Sequence, residues 1–197
     1  MKAISDLLLR IMGWKIDNDI PSNIKKAVII VAPHSSLWDT VIGKLGFWHM
    51  EVDSKILIKK EAFLWPFGLL LRSIGGIPVN RVKSGKLTSV VARMFDEHES
   101  LFITLTPEGT RTLVKEWKLG FYYIAQSANV PIVLGVLDYK NKTGGMKKLF
   151  YPTGNMQNDI SEIKAIYNLN NQQVIIADGL VAHYEFEGSA DDTSGNG

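Results

Sequence analysis

Between Ala27 and Val31, five apolar residues, four of them β-branched, follow one another with no polar side chain to face water. A strand of this kind must be covered on both faces. An α/β domain with a largely parallel sheet provides that cover, and a one-sided antiparallel sheet does not. The rest of the chain repeats the theme. Residues 38–48 have helical character, 55–58 read as a strand, 61–74 as a helical apolar segment and 77–79 as a short strand. Residues 86–98 place Leu87, Val90, Val91 and Met94 on one helical face; 101–105 form another buried strand, 120–128 a helix and 131–137 a further strand. Such alternation predicts a single α/β domain whose mostly parallel central sheet is flanked by helices. After Asp138 the pattern weakens: 140–148 reads as a polar turn, 149–151 as a strand and 159–167 as a short helix. The domain is expected to span residues 1–186, opening with an amphipathic helix over about residues 1–14, and the apolar-poor end 187–197 is expected to be disordered.

The chain has no cysteine, which removes disulfides, thiolate nucleophiles and Cys-based zinc sites. All 22 Lys and Arg lie in residues 1–164 together with 15 of the 20 acids, so that part carries +7, whereas the last 33 residues carry five acids and no base. A basic body suits a phosphate-bearing ligand or an anionic membrane surface; scattered solvated lysines are the plainer reading. Ile4, Leu7, Leu8, Ile11 and Met12 recur at helical spacing, so this short start either lies in a membrane interface or docks on its own core. Arg10 interrupts the apolar run and no small-residue cleavage site follows, so no secretory signal is expected. A membrane-spanning helix needs about 20 mostly apolar residues. Residues 62–80 are broken by Pro66, Arg72 and Gly75-Gly76, and 119–137 by Gln126, Ser127, Asn129 and Pro131, so neither is expected to span.

Two loops carry residues capable of chemistry. His34 follows the 27–31 strand and precedes a helix, which puts it at the carboxyl edge of the sheet, where open α/β sheets hold their ligands. Asp39 lies five residues on, near the first turn of that helix, from where a carboxylate can fold back onto the imidazole. Holding one ring nitrogen leaves the other as a base. Alternatively Ser36-Leu37-Trp38-Asp39 is an S-x-x-D cap and His34 an ordinary surface residue. Ser35 and Ser36 lack the G-x-S-x-G elbow of a serine nucleophile. The second loop, Thr106-Pro107-Glu108-Gly109-Thr110-Arg111-Thr112, follows the 101–105 strand. There Arg111 offers a planar fork for phosphate oxygens, and Glu108 can orient that guanidinium or bind an acceptor hydroxyl. As a plain turn, its charges would simply face water.

In four blocks the chain resembles the glycerolipid acyltransferases, the family of the lysophosphatidic acid and glycerol-3-phosphate acyltransferases. They are the H-x4-D block from His34 to Asp39; Lys60-Glu61, Pro66, Gly68 and Gly75-Gly76-Ile77-Pro78-Val79-Asn80-Arg81; Pro107-Glu108-Gly109-Thr110-Arg111 with Lys118 and Gly120; and Val130-Pro131-Ile132-Val133. All four stand in the family's order and together cover roughly residues 26–137. Asn80 departs from a common Asp and Thr106 from a common Phe, and both bear on the choice of acceptor.

The resemblance implies that His34 is the general base on an acceptor hydroxyl and that Asp39 orients it. It implies that Arg81, Glu108, Gly109, Thr110 and Arg111 bind the phosphate or glycerol part of the acceptor. Lys118 either adds positive charge near the phosphates or is a structural surface residue. The acyl group would come from acyl-CoA or acyl carrier protein as co-substrate, by direct attack without an acyl-enzyme, and with no metal or resident cofactor. The expected partners are an acyl thioester donor, a lysolipid acceptor, acyl carrier protein and a membrane surface, with no nucleic acid. The expected place is the cytoplasmic face of a membrane, peripheral or monotopic. The apolar stretch Ala62–Leu71 packs as core, dips into the membrane or walls an acyl tunnel. An aminolipid acceptor, a thioester hydrolase and a catalytically silent lipid-binding protein are the alternatives.

Overall fold

The apolar run that opens the argument forms the middle of the sheet. In the computed structural model, which describes residues 1–34, 36–79, 84–109 and 116–176, strand β2 spans Lys26–Val31, and Ala27, Val28, Ile29 and Ile30 are all 0% exposed. Each buried isoleucine contributes roughly 1.5–3 kcal/mol. Around β2 the chain lays down α1 (Lys2–Met12), β1 (Lys15–Asn18), α2 (Leu37–His49), β3 (Ser54–Lys59), α3 (Phe67–Ser73), β4 (Gly76–Val79), α4 (Ser84–Glu97), β5 (Leu101–Leu105), α5 (Gly120–Ala128), β6 (Ile132–Asp138), β7 (Thr143–Phe150) and α6 (Met156–Ile176). Two compact units divide the chain. The first, Met1–Met156, holds the whole sheet; the second begins at Gln157, and α6 is its described part.

The strand order is β1-β7-β6-β2-β5-β3-β4. From β6 to β4 the strands run parallel, while β7 is antiparallel to β6 and carries β1 parallel to itself. The fold is therefore the expected α/β domain with a mostly parallel sheet. From β2 the chain builds towards β3 and β4, returns to β5, then crosses to the far side of β2 to make β6. Right-handed crossovers leaving in opposite directions put α2 and α5 on opposite faces of the sheet and open a crevice at the carboxyl end of β2. On the α2 face, Ala27, Ile29, Phe47, Phe102, Val133 and Met146 form one buried cluster.

Helix ends follow local chemistry. Gly13 closes α1 in the left-handed conformation, and Asn129 does the same for α5. Helix α1 lies antiparallel on α2, pinned by Lys2–Glu51 at 2.7 Å and Asp6–His49 at 2.6 Å. It docks through Ser5 and Leu9 and leaves Ile4, Leu7, Leu8 and Ile11 exposed, so its main apolar stripe is not spent on the core.

Three expectations need correction. The apolar segment 61–74 is not one helix: a 3-10 turn at Lys60–Ala62 ends, and α3 begins only at Phe67. Pro66 has no amide to continue a helix, and Gly68 sits so close to the Phe63 carbonyl that a Cβ would lie 2.5 Å from it. The expected turn 140–148 is largely strand β7, because its backbone is needed by both β6 and β1. Strand β1 was not expected, and the helix expected at 159–167 runs from Met156 to Ile176. The tail 187–197 lies outside the described residues.

Gly145 shows why a glycine-bearing stretch can be strand here. It has φ +140 and a Cβ would meet the Asp17 carbonyl oxygen of β1 at 1.9 Å. Gly145→Ala should destabilise the fold by about 1–3 kcal/mol, read as a lower urea midpoint.

Candidate active site

His34 lies midway along the short loop between β2 and α2, and two contacts set its position. Its backbone N–H donates to Glu108 Oε2 at 2.7 Å, which fastens this loop to the loop after β5. Its ring Nδ1 lies 3.0 Å from Asp39 Oδ2. The imidazole lines a cavity, with Nε2 as the remaining ring nitrogen.

Asp39 serves two purposes at once. Ser36 is the N-cap of α2: its hydroxyl accepts from the Trp38 amide at 3.1 Å, and Asp39 Oδ2 accepts from the Ser36 amide at 2.9 Å. The capping box and the contact to His34 are thus made by the same carboxylate oxygen, so the cap does not exclude the contact. Asp39 is only 5% exposed, and its other oxygen, Oδ1, accepts from the Tyr139 hydroxyl. Burial, followed by the hydrogen bond and charge of Asp39, pushes the Tyr139 phenol well above its ordinary pKa, so it remains a donor.

The loop after β5 supplies the second wall. The Gly109 amide donates to the Thr106 carbonyl at 3.0 Å, and the Lys118 amide to the Pro107 carbonyl at 2.7 Å. Gly109 has φ +65, and a Cβ there would meet Lys118 Nζ at 2.7 Å, so the lysine chain lies across the glycine. Glu108 is buried, at 7% exposure, and its described bond goes to His34. Arg81, Thr110 and Arg111 lie outside the described residues, as do Ser35 and Asn80. Of the expected site residues, the fold therefore brings together His34, Asp39, Glu108, Gly109 and Lys118.

Behind this cluster the cavity measures about 860 Å³, within the range of small-molecule sites. His34, Asp39, Thr106 and Lys118 line its polar part; Ile29, Val31, Ile42, Phe47, Ile56 and Met146 are among its apolar walls. An imidazole held by a buried carboxylate beside a largely apolar cavity can take a proton from a hydroxyl while an aliphatic chain is kept from water.

Residues 15–134 match the family model described as Acyltransferase. The chain belongs to that family. The 1-acyl-sn-glycerol-3-phosphate acyltransferase beta of Homo sapiens is 29% identical to this acyltransferase-family chain over 159 residues, covering 76% of the chain and 56% of the human protein. The chain thus spans little more than half the length of that relative. The crystal structure of the 1-acyl-sn-glycerophosphate (LPA) acyltransferase PlsC from Thermotoga maritima shares the fold, with a TM-score of 0.60, 15% identity, and coverage of 93% of this chain and 79% of that one.

Two side chains of this acyltransferase-family site were not singled out from the sequence. Tyr139 is the residue after β6, and its place at the carboxyl end of a strand parallel to β2 was a usable signal. Lys44 lay inside a helix with no motif around it. It is 7% exposed, lines the cavity, donates to the Ser54 carbonyl at 3.3 Å and stands 5.6 Å from the Trp48 ring centre. Burial pushes its pKa below the free-lysine value of 10.5, opposed by the charge of Asp53. Folding therefore disfavours the charged form at neutral pH, and this penalty fades as pH rises through the lowered folded value towards 10.5. Lys44→Met should raise the urea midpoint at pH 7, with the advantage shrinking in alkaline buffer.

Proposed function

We propose that this protein transfers a fatty acyl group from a thioester of coenzyme A or acyl carrier protein to a hydroxyl of a lysophospholipid, with lysophosphatidic acid as the first acceptor to test. The observation that carries this reading is the His34 Nδ1–Asp39 contact of 3.0 Å at the wall of a largely apolar cavity of about 860 Å³. Membership of the acyltransferase family supports it, as does a relative named for 1-acylglycerol-3-phosphate acylation.

In this mechanism His34 Nε2 removes the proton from the acceptor hydroxyl as its oxygen attacks the thioester carbonyl. Asp39 holds the imidazole by Nδ1 and stabilises the imidazolium that forms. The tetrahedral intermediate collapses by breaking the C–S bond, and the departing thiolate takes the proton back from His34. An ester and a free thiol result, with no covalent enzyme intermediate and no resident cofactor or metal. Lys118, lying across Gly109, supplies positive charge for the phosphates of donor or acceptor. Arg81, Thr110 and Arg111 are assigned to the acceptor's phosphate and glycerol by their place in the family's motifs. Glu108 contributes by tying the base-bearing loop to the loop that carries those residues.

The lipid would be met at the cytoplasmic face of a membrane, where such thioesters are made, with the protein attached as a peripheral or monotopic one. Among the described residues no helix is long and apolar enough to cross a membrane. Two apolar surfaces instead stay open to solvent: the α1 stripe of Ile4, Leu7, Leu8 and Ile11, and the run Leu64, Trp65, Phe67, Leu69 and Leu70, which follows the cavity-lining residues Lys59 and Ala62. Arg10, Lys59, Lys60 and Arg72 accompany them and suit anionic headgroups.

Labelled acyl-CoA and acyl carrier protein, offered with a panel of lysolipids, should give acylated lysophosphatidic acid, and His34→Ala should lose at least about 100-fold in rate. Thioester hydrolysis without transfer would turn the reading into a hydrolase. Transfer only to aminolipids would replace the acceptor, and transfer unaffected by His34→Ala would remove the base. Separately, Trp65→Ser with Leu69→Ser should weaken sedimentation with anionic vesicles while leaving the unfolding midpoint in place.

A further inference from the structure

Capping α2 requires only one oxygen of Asp39, and the contact to His34 uses that same oxygen. Turning about the Cβ–Cγ bond would carry Oδ2 off both of these partners, so the firmness with which the carboxylate plane is held sets how well Oδ2 meets Nδ1. The second oxygen is held by the Tyr139 hydroxyl, from the turn between β6 and β7, one hundred residues away in sequence. A donor on each oxygen restrains that turn from both ends of the carboxylate, and so steadies the direction in which Oδ2 meets Nδ1.

Tyr139 is itself held. Its ring stands edge-on to Trp14, with centroids 5.1 Å apart and planes at 88°. Trp14 is 7% exposed and sits in a buried cluster with Leu9 of α1 and Ile42 and Leu45 of α2. Tyr139 is 44% exposed, so packing alone does not account for its place, and it is not among the residues lining the cavity. Its polar end meets the buried carboxylate and its ring meets the residue that follows α1.

We propose that Tyr139 is a positioning residue for the His34–Asp39 pair, and that Trp14 transmits the seating of α1 to it. The proposal rests on the reading of His34 as the base. Without the Tyr139 hydroxyl the carboxylate is held less firmly, the imidazole tautomer is less strictly fixed, and turnover falls while substrate binding does not. Because α1 also carries the exposed apolar stripe, its docking on a lipid surface would bear on the base through the chain Trp14–Tyr139–Asp39–His34.

Tyr139→Phe keeps the ring and the Trp14 contact and removes only the donor. Measured with acyl-CoA and lysophosphatidic acid, kcat should drop roughly 10- to 100-fold with KM for both substrates within about twofold. Trp14→Leu, which keeps apolar volume, should lower kcat in the same direction, and the double variant should cost little more than Tyr139→Phe alone. In ¹⁵N-histidine spectra, with His34 assigned by its loss in His34→Ala, the native protein should show one tautomer protonated at Nδ1 and Tyr139→Phe a mixture. That readout does not require turnover. A tautomer population unchanged in Tyr139→Phe, a native kcat in that variant, or losses that multiply independently in the double variant would overturn the proposal. A His34→Ala protein that still transfers acyl groups removes the base reading itself. An inactive His34→Ala beside a fully active Tyr139→Phe removes only the positioning role.

Discussion

The Asp39 carboxylate is the point on which the site depends. Buried at 5% exposure, it gathers the Ser36 amide, the His34 ring and the Tyr139 hydroxyl. A buried carboxylate is costly unless its lone pairs are satisfied, and donors from the β2–α2 loop and from the β6–β7 turn meet that demand. The same contacts start helix α2, hold Nδ1 of the imidazole and bring the β6–β7 turn against the β2 loop. A cap and a catalytic orienter are usually weighed as rival explanations of an S-x-x-D sequence. Here one carboxylate oxygen makes both the cap and the contact to the His34 ring, because the helix begins beside the imidazole.

The sheet makes that convergence available. With β5 on one side of β2 and β6 on the other, the loops after all three strands open at one edge. Glu108 ties the first two loops together through the His34 amide, and Tyr139 ties the third to Asp39. Beneath them the apolar α2 face of the sheet supplies a cavity whose walls are the same β-branched and aromatic residues that stabilise the domain. The exposed stripe on α1 and the apolar run before and within α3 belong to a surface the core does not use. In the proposed function, those outside apolar residues are the ones that meet the lipid surface.

Most of the parallel part was legible in the sequence. The runs at 27–31 and 101–105 exclude a wet face, and residues 86–98 between them place their apolar side chains on one helical face. The failures came where local chemistry and long-range pairing disagreed. Thr143–Phe150 is polar and glycine-bearing, so it reads as a turn, yet its backbone completes the ladders of β6 and β1. Residues 61–74 are apolar enough for one helix, yet Pro66 and the close approach at Gly68 divide them. At the site, His34 and Asp39 were legible because five residues and one helix start connect them, whereas Tyr139 is marked only by its place just after β6 and Lys44 carries no local mark.

By itself, then, the sequence determined the fold class, the edge of the sheet on which His34 stands, and the capacity of Asp39 to reach it, because burial pattern and helix capping act over a few residues. Only the tertiary structure decided that the cap and the orienting carboxylate are one group, that Glu108 holds the His34 amide, and that Tyr139 closes the carboxylate from the far side. Those contacts join positions 74 and 100 residues apart. They depend on the order in which strands lie in the sheet, and no short-range pattern encodes that order.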